Sequence, residues 1–209
     1  MKKGIYGRKI GMTQLFNADG TAIGVTVIET APNYVIRKKT VDKDGYDALC
    51  VGIEDIREKL VNQPKAGEFK KAGIEPKRFV RELKLDDSAN YEVGTAVKAD
   101  IFEVGDIVDV SGLTKGHGFS GTVKRWNTRI GPKAHGSKYH RGPGSMGANT
   151  SPGRVFKNKR LPGQYGVENV TIQNLVVVKV DAERNFIMIK GAVPGARGAL
   201  LMVRNTVKG

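Results

Sequence analysis

The chain has 209 residues, of which 39% are hydrophobic, and a formal net charge of +14 at a pI near 9.9. That length holds one large domain, or one domain carrying an elaborate insertion. No stretch reaches the roughly 20 apolar residues of a membrane span, and the single cysteine, Cys50, excludes an internal disulfide framework and fits a reducing cytosol.

The first third reads as hairpins. Lys9 to Phe16 is a candidate strand, and the basic start before it (MKKGIYGRKIGM) lacks the continuous apolar run of a signal peptide. A turn at Asn17-Ala18-Asp19-Gly20 leads into the β-rich run Thr21 to Glu29. Asn33 to Val41 follows, then Asp42-Lys43-Asp44-Gly45, then Tyr46 to Glu54. Both Asp-Gly dipeptides lie between β-branched runs, the pattern of a hairpin turn, because glycine reaches positive φ without a Cβ clash. Cys50, inside Ala48-Leu49-Cys50-Val51, reads as a small buried hydrophobe.

A short helix is expected after Asn62, with Pro64 in its first turn and Gly73 ending it. Arg78 to Leu85 suits a strand, and Ala96 to Val110 reads as two short strands around Gly105-Asp106. The β pattern stops near Ser111 and resumes at Val170. Thr171 to Val180 is a strong strand; Phe186 to Lys190 and Leu200 to Arg204 complete the set. The expected fold is mainly β: a closed or nearly closed barrel of short antiparallel strands, with one or two short helices and a long irregular basic finger inserted. The expected boundaries are a discontinuous barrel domain over 1–112 and 163–209 and an inserted extension over 113–162.

That insertion concentrates the charge. Between Val110 and Val167 there is no Asp or Glu, against 11 Lys and Arg, 12 glycines and all three histidines. The rest of the chain carries 24 basic and 21 acidic residues, so it is close to neutral. Such self-repulsion calls for a polyanion. The glycines disfavour the amphipathic helix of a membrane-surface protein. A loop beyond about 12–15 residues is usually functional or disordered. Two arms of about 25 extended residues reach at most on the order of 80 Å.

The candidate RNA-binding residues are Lys115, His117, Lys124, Arg125, Trp126, Arg129, Lys133, His135, Lys138, Tyr139, His140, Arg141, Asn149, Arg154, Lys157, Lys159 and Arg160. Cations neutralise phosphates, and planar rings stack on unpaired bases. Phe119, Trp126, Tyr139, Phe156 and Tyr165 are interleaved with them, and Trp126, beside Lys124-Arg125, is the leading aromatic candidate. The run Gly144, Ser145, Met146, Gly147, Ala148, Asn149 is small and uncharged and reads as the extension tip.

Other chemistries fit less well. Gly116 to Gly121 matches GxGxxG, but no acid follows until Glu168, where a dinucleotide fold needs one about 20 positions on. A nucleotide-binding enzyme using this loop stays as an alternative. A DNA-binding protein is another, without a helix-turn-helix to support it. His135 and His140 are five apart with no Cys or carboxylate nearby, so no metal site is expected. No cofactor and no catalytic residue is expected, because the serines of the insertion lack a nearby acid to orient a histidine base.

Several runs resemble the bacterial form of the large-subunit ribosomal protein L-three family. They are GRKIGMTQLF (7–16), FEVGDIVDVSGLTKGHGFSGTVKRW (102–126), HGSKYHRGPGSMGANTSPGRVFKNKRLPG (135–163), Val170 to Val180, and KGAVPG (190–195). The resemblance implies a non-enzymatic structural constituent of the large subunit, located in the cytoplasm. It implies a surface β-barrel and an extension that penetrates ribosomal RNA toward the peptidyl-transferase region, with a role early in subunit assembly. Expected partners are large-subunit ribosomal RNA and neighbouring large-subunit proteins, with no membrane; structural ions, where present, would be held by the RNA. Some relatives carry a methylated glutamine in the tip; the matching position here is Ala148, which cannot take that modification.

Overall fold

Two β-rich runs joined at Asn17–Gly20 form a long antiparallel hairpin, β1 (Gly4–Phe16) and β2 (Ala22–Glu29), in a computed structural model that describes residues 3–208. Its turn closes through the Gly20 N–H donating to the Asn17 carbonyl at 2.9 Å, with Gly20 at φ 76°. β1 starts before the expected Lys9 and carries a bulge between Lys9 and Gly11. Its first half pairs with the C-terminal strand of the chain, and its second half only with β2. Glycine is required at Gly7, where a Cβ would lie 2.6 Å from the Glu29 carbonyl oxygen.

β3 (Asn33–Lys39) and β4 (Ala48–Asp55) follow, separated by α1 (Val41–Asp44). The expected Asp-Gly hairpin turn is a single helical turn instead. Gly45 takes φ 81° and returns its N–H to the Val41 carbonyl, so its left-handed conformation ends a helix. α2 (Gln63–Ala72) forms as expected, with Asn62 before it, Pro64 in its first turn and Gly73 at φ 68° after it. Its Phe69 is buried. Then come β5 (Lys77–Leu83), β6 (Ala96–Val97), a 3₁₀ turn at Ala99–Ile101, and β7 (Ile107–Leu113). The 3₁₀ turn cuts short the first of the two strands expected over Ala96 to Val110.

The short strand β8 (Gly118–Ser120), the helix α3 (Thr122–Trp126) and the strand β9 (Gly163–Tyr165) lie inside the basic region. The chain ends with β10 (Asn169–Asp181), β11 (Phe186–Lys190) and β12 (Leu200–Asn205). Six strands close into an antiparallel barrel in the order β1-β12-β7-β10-β11-β2. Closure removes the exposed edges that an open sheet leaves.

The barrel interior follows from two-residue spacing. Val108 and Val110, Ile187 and Ile189, and Leu201 and Val203 are fully buried and meet Ile5, Ile28 and Val177. Each such side chain contributes about 1.5–3 kcal/mol relative to exposure. On the opposite face of β7, Asp109 is also buried; its Oδ1 accepts the Asn174 N–H at 3.2 Å. Asn174, at φ 58°, forms the bulge that interrupts the β7–β10 register between Ile172 and Leu175.

β3, β4, β5 and β6 do not join the barrel. They form a four-stranded sheet, β5-β4-β3-β6, over a second core of Tyr6, Val35, Leu49, Val51, Ile53, Leu83, Leu85 and Val97. Cys50 is buried in this sheet, as expected. Among the described residues, no helix is long and apolar enough to cross a membrane.

Candidate nucleic-acid interface

The chain divides into two compact units. One contains the barrel and the second sheet, up to Leu113 and again from Asn169; the other is Thr114–Glu168. The second unit holds all 11 acid-free cations and one carboxylate, Glu168.

Its base is a small antiparallel ladder. Gly118 faces Tyr165, Phe119 faces Gln164, and Ser120 faces Gly163. Gly163–Tyr165, past the expected end of the extension at Pro162, therefore pairs within this unit. Below the ladder, the Thr114 N–H donates to the Glu168 carbonyl at 2.9 Å, and the His117 N–H to the Tyr165 carbonyl at 2.9 Å. The His117 and Tyr165 rings stack at 4.9 Å with 24° between their planes. Ser120 and Thr122 are buried, and α3 ends where Asn127 turns left-handed at φ 55°.

Arg125 is the one cation of the eleven that is not exposed. Its guanidinium donates to the Leu161 carbonyl at 3.1 Å, and the Trp126 indole Nε1–H donates to the same oxygen at 3.0 Å. Arg125 and Arg160 both lie over the Trp126 ring, at 4.9 and 5.9 Å. This clamp joins the outgoing and returning arms across 35 positions of sequence.

Between Asn127 and Pro162 there is no helix or strand, and short local bonds shape the backbone. The Gly131 N–H donates to the His140 carbonyl at 2.8 Å, and His140 Nδ1 lies 2.9 Å from the Pro132 carbonyl, which fixes that nitrogen as the donor. The Tyr139 hydroxyl accepts the Gly144 N–H. The Ser145 hydroxyl donates to the Gly147 carbonyl at 2.8 Å. Arg154 lies 5.3 Å from the centre of the Phe156 ring.

The predicted residues distribute along this unit without converging on one point. Lys115, Lys124, Arg129, Lys133, Lys138, Arg141, Arg154, Lys157, Lys159 and Arg160 are exposed, as are His117, His135, His140, Trp126, Tyr139 and Asn149. Gly144, Ser145, Met146, Gly147, Ala148 and Asn149 are exposed too. Met146 to Asn149, with Arg154 and Val155, border an open concavity of about 560 Å³. Among the described residues, no three His, Cys, Asp or Glu side chains are grouped to hold a metal ion.

The electrostatics separate the two units. In the barrel unit, cations meet carboxylates: Lys3 with Asp106 at 2.8 Å, Arg8 with Glu54 at 2.6 Å, Lys39 with Glu82 at 2.8 Å, and Lys77 with Asp55. The Glu103 N–H and the Lys3 ammonium hold the Asp106 carboxyl below its ordinary range. Lys39 and the Tyr46 hydroxyl do the same for Glu82. In Thr114–Glu168, by contrast, no described cation forms an ion pair. A set of exposed, unpaired cations spread along two arms is suited to a chain of phosphates rather than to one small anion.

Sequence reasoning did not find the structural role of Arg125, because its partner carbonyl lies on the other arm. Nor does the Gly116–Gly121 run open a dinucleotide fold: the strand pairings are antiparallel, and α3 has only five residues.

Residues 78–185 match the family model described as Ribosomal protein L3, a span that takes in all of β5 but its first residue, β6 to β10 and the whole acid-free stretch. That family consists of structural proteins of the large ribosomal subunit, which bind ribosomal RNA and other ribosomal proteins; it is not a family of enzymes. More than half of the sequence, including the unit that carries its unpaired charge, lies within the match, and the chain belongs to the ribosomal protein L3 family.

Proposed function

We propose that this chain, of the bacterial type, binds large-subunit ribosomal RNA through Thr114–Glu168, supports early assembly of the subunit in the cytoplasm, and extends its tip toward the peptidyl-transferase region. One observation carries the reading. Eleven cations and no acid occupy 111–166, ten of the eleven are exposed, and none forms an ion pair among the described residues.

The arms supply affinity through phosphates, with Lys115, Lys124, Arg129, Lys133, Lys138, Arg141, Arg154, Lys157, Lys159 and Arg160 as contacts. His117, His135, His140, Tyr139 and Asn149 add hydrogen bonds and planar surface for irregular RNA loops. The bracing of Trp126 by Leu161, Arg125 and Arg160 supports a role for that ring in shaping the arms, with its exposed edge left for RNA. Gly144, Ser145, Met146, Gly147, Ala148 and Asn149 lack charge and bulk, which suits a tip entering a narrow space.

Photocrosslinking from positions 147 to 149 in assembled large subunits, read out by RNA sequencing, tests the placement. Crosslinks to peptidyl-transferase nucleotides are expected; crosslinks confined to RNA remote from that region would overturn it. In competition, structured ribosomal RNA should displace duplex DNA, and the opposite preference would favour a DNA-binding function.

A further inference from the structure

Four of the five aromatic side chains in Thr114–Glu168 are engaged locally. Trp126 donates to Leu161 and lies against two guanidiniums. Tyr165 stacks with His117, Tyr139 accepts a backbone N–H through its hydroxyl, and Phe156 sits by Arg154. Phe119 is different. It is 81% exposed, the highest value for any large hydrophobic residue described, and among the described residues it has no ring or cation partner.

The backbone holds it there. Phe119 is the middle residue of β8, paired with Gln164, while its neighbour Ser120 points inward and is buried. Successive strand residues face opposite sides, so the ring is directed outward. Gly118 and Gly121 flank it, and a Cβ at either would meet nothing within 4 Å. Gly118 before the ring has no side chain, and the Ser120 side chain after it faces the opposite side of the strand. Lys115, Lys124 and Arg125 are its nearest charged neighbours in sequence, with no carboxylate between Val110 and Val167.

A flat, exposed apolar face next to a glycine, with Lys115, Lys124 and Arg125 four to six positions away in the chain, complements a base whose sugar–phosphate backbone runs alongside. It is a poor match for an apolar protein groove, which would leave those cations unpaired. We propose that Phe119 stacks on an unpaired nucleobase of large-subunit ribosomal RNA and anchors the base of the insertion to it. This rests on the RNA-binding function proposed above for the same unit.

The test uses the full chain and deproteinised large-subunit ribosomal RNA in filter binding across a salt series. Phe119→Ala should weaken binding about 5- to 150-fold, the range for loss of one stacked base. Phe119→Leu should be about as weak, and Phe119→Trp should stay within about threefold of the parent, since a planar ring is retained. The slope of log K against log salt should not change, because stacking releases no counterions. Parent-like binding by Phe119→Ala or Phe119→Leu would overturn the inference while leaving RNA binding intact. Failure of the parent chain itself to bind the RNA would instead overturn the function on which the inference rests. A photoreactive phenylalanine analogue at 119 in assembled subunits should crosslink to a nucleotide; crosslinking to a protein would also overturn it.

Discussion

Excising Thr114–Glu168 should leave a folded barrel, and a more stable one. Leu113 and Asn169 are cross-strand partners at the ends of β7 and β10, so a two-residue Asn-Gly turn can join them directly. No residue of the excised unit belongs to the buried hydrophobic set, and both apolar cores are built from the barrel unit alone. Replacing a flexible loop of about 55 residues by two would save up to about 3 kcal/mol of closure entropy. Removal of the concentrated positive charge acts in the same direction. For a protein of this size, about 3 kcal/mol corresponds to a rise of up to roughly 6–12 °C in Tm. Thermal melts followed by circular dichroism, with parent and excised chains at equal salt, measure the difference. A lower Tm, or loss of a single cooperative transition, would show that the barrel depends on the insertion and would refute the reasoning.

Two further outcomes probe the barrel. Leu201→Ala empties a fully buried position in the core and should cost about 2–5 kcal/mol, read by denaturant titration; a loss below about 1 kcal/mol would place that side chain outside the core. Asp106→Asn should lower Tm near neutral pH. The folded carboxyl of Asp106 lies below its ordinary value of 3.8, chiefly through the Glu103 N–H and then through Lys3. Its stabilisation is therefore present above that value and is lost as pH falls through the lower folded value. The gap between parent and variant should narrow below pH 4; a gap constant from pH 7 to pH 2 would contradict this.

The mainly β class and most strand positions were legible because local alternation fixes which face of a strand is buried. Phe186–Lys190 and the helix after Asn62 follow from apolar spacing and from Pro64 and Gly73. Partner choice was not legible. β3, β4 and β5 read as strands just as the barrel strands do, yet pair in a separate sheet, because pairing is decided by contacts distant in sequence. Gly45 shows a second limit: positive φ serves a hairpin turn and a helix end equally well.

The basic insertion was plain from charge alone, but not what its aromatics do. Trp126, beside Lys124 and Arg125, is the ring that sequence favours for stacking; its partners Arg160 and Leu161 return on the other arm and brace it. Phe119 sits in a glycine-rich run that resembles a loop, and only the pairing of β8 with β9 reveals it as a held, outward ring.

Salt dependence of ribosomal-RNA affinity tests most directly the claim that unpaired cations of the insertion hold RNA. Lys133, Lys138, Lys157 and Lys159 are exposed and form no described hydrogen bond, ion pair or ring contact, so their joint change to Gln should leave folding unaffected. If each neutralises one phosphate, the slope of log K against log salt should become shallower by about 3, at 0.7–0.9 per contact, with binding weakened most at low salt. An unchanged slope and affinity in the fourfold variant would contradict the account.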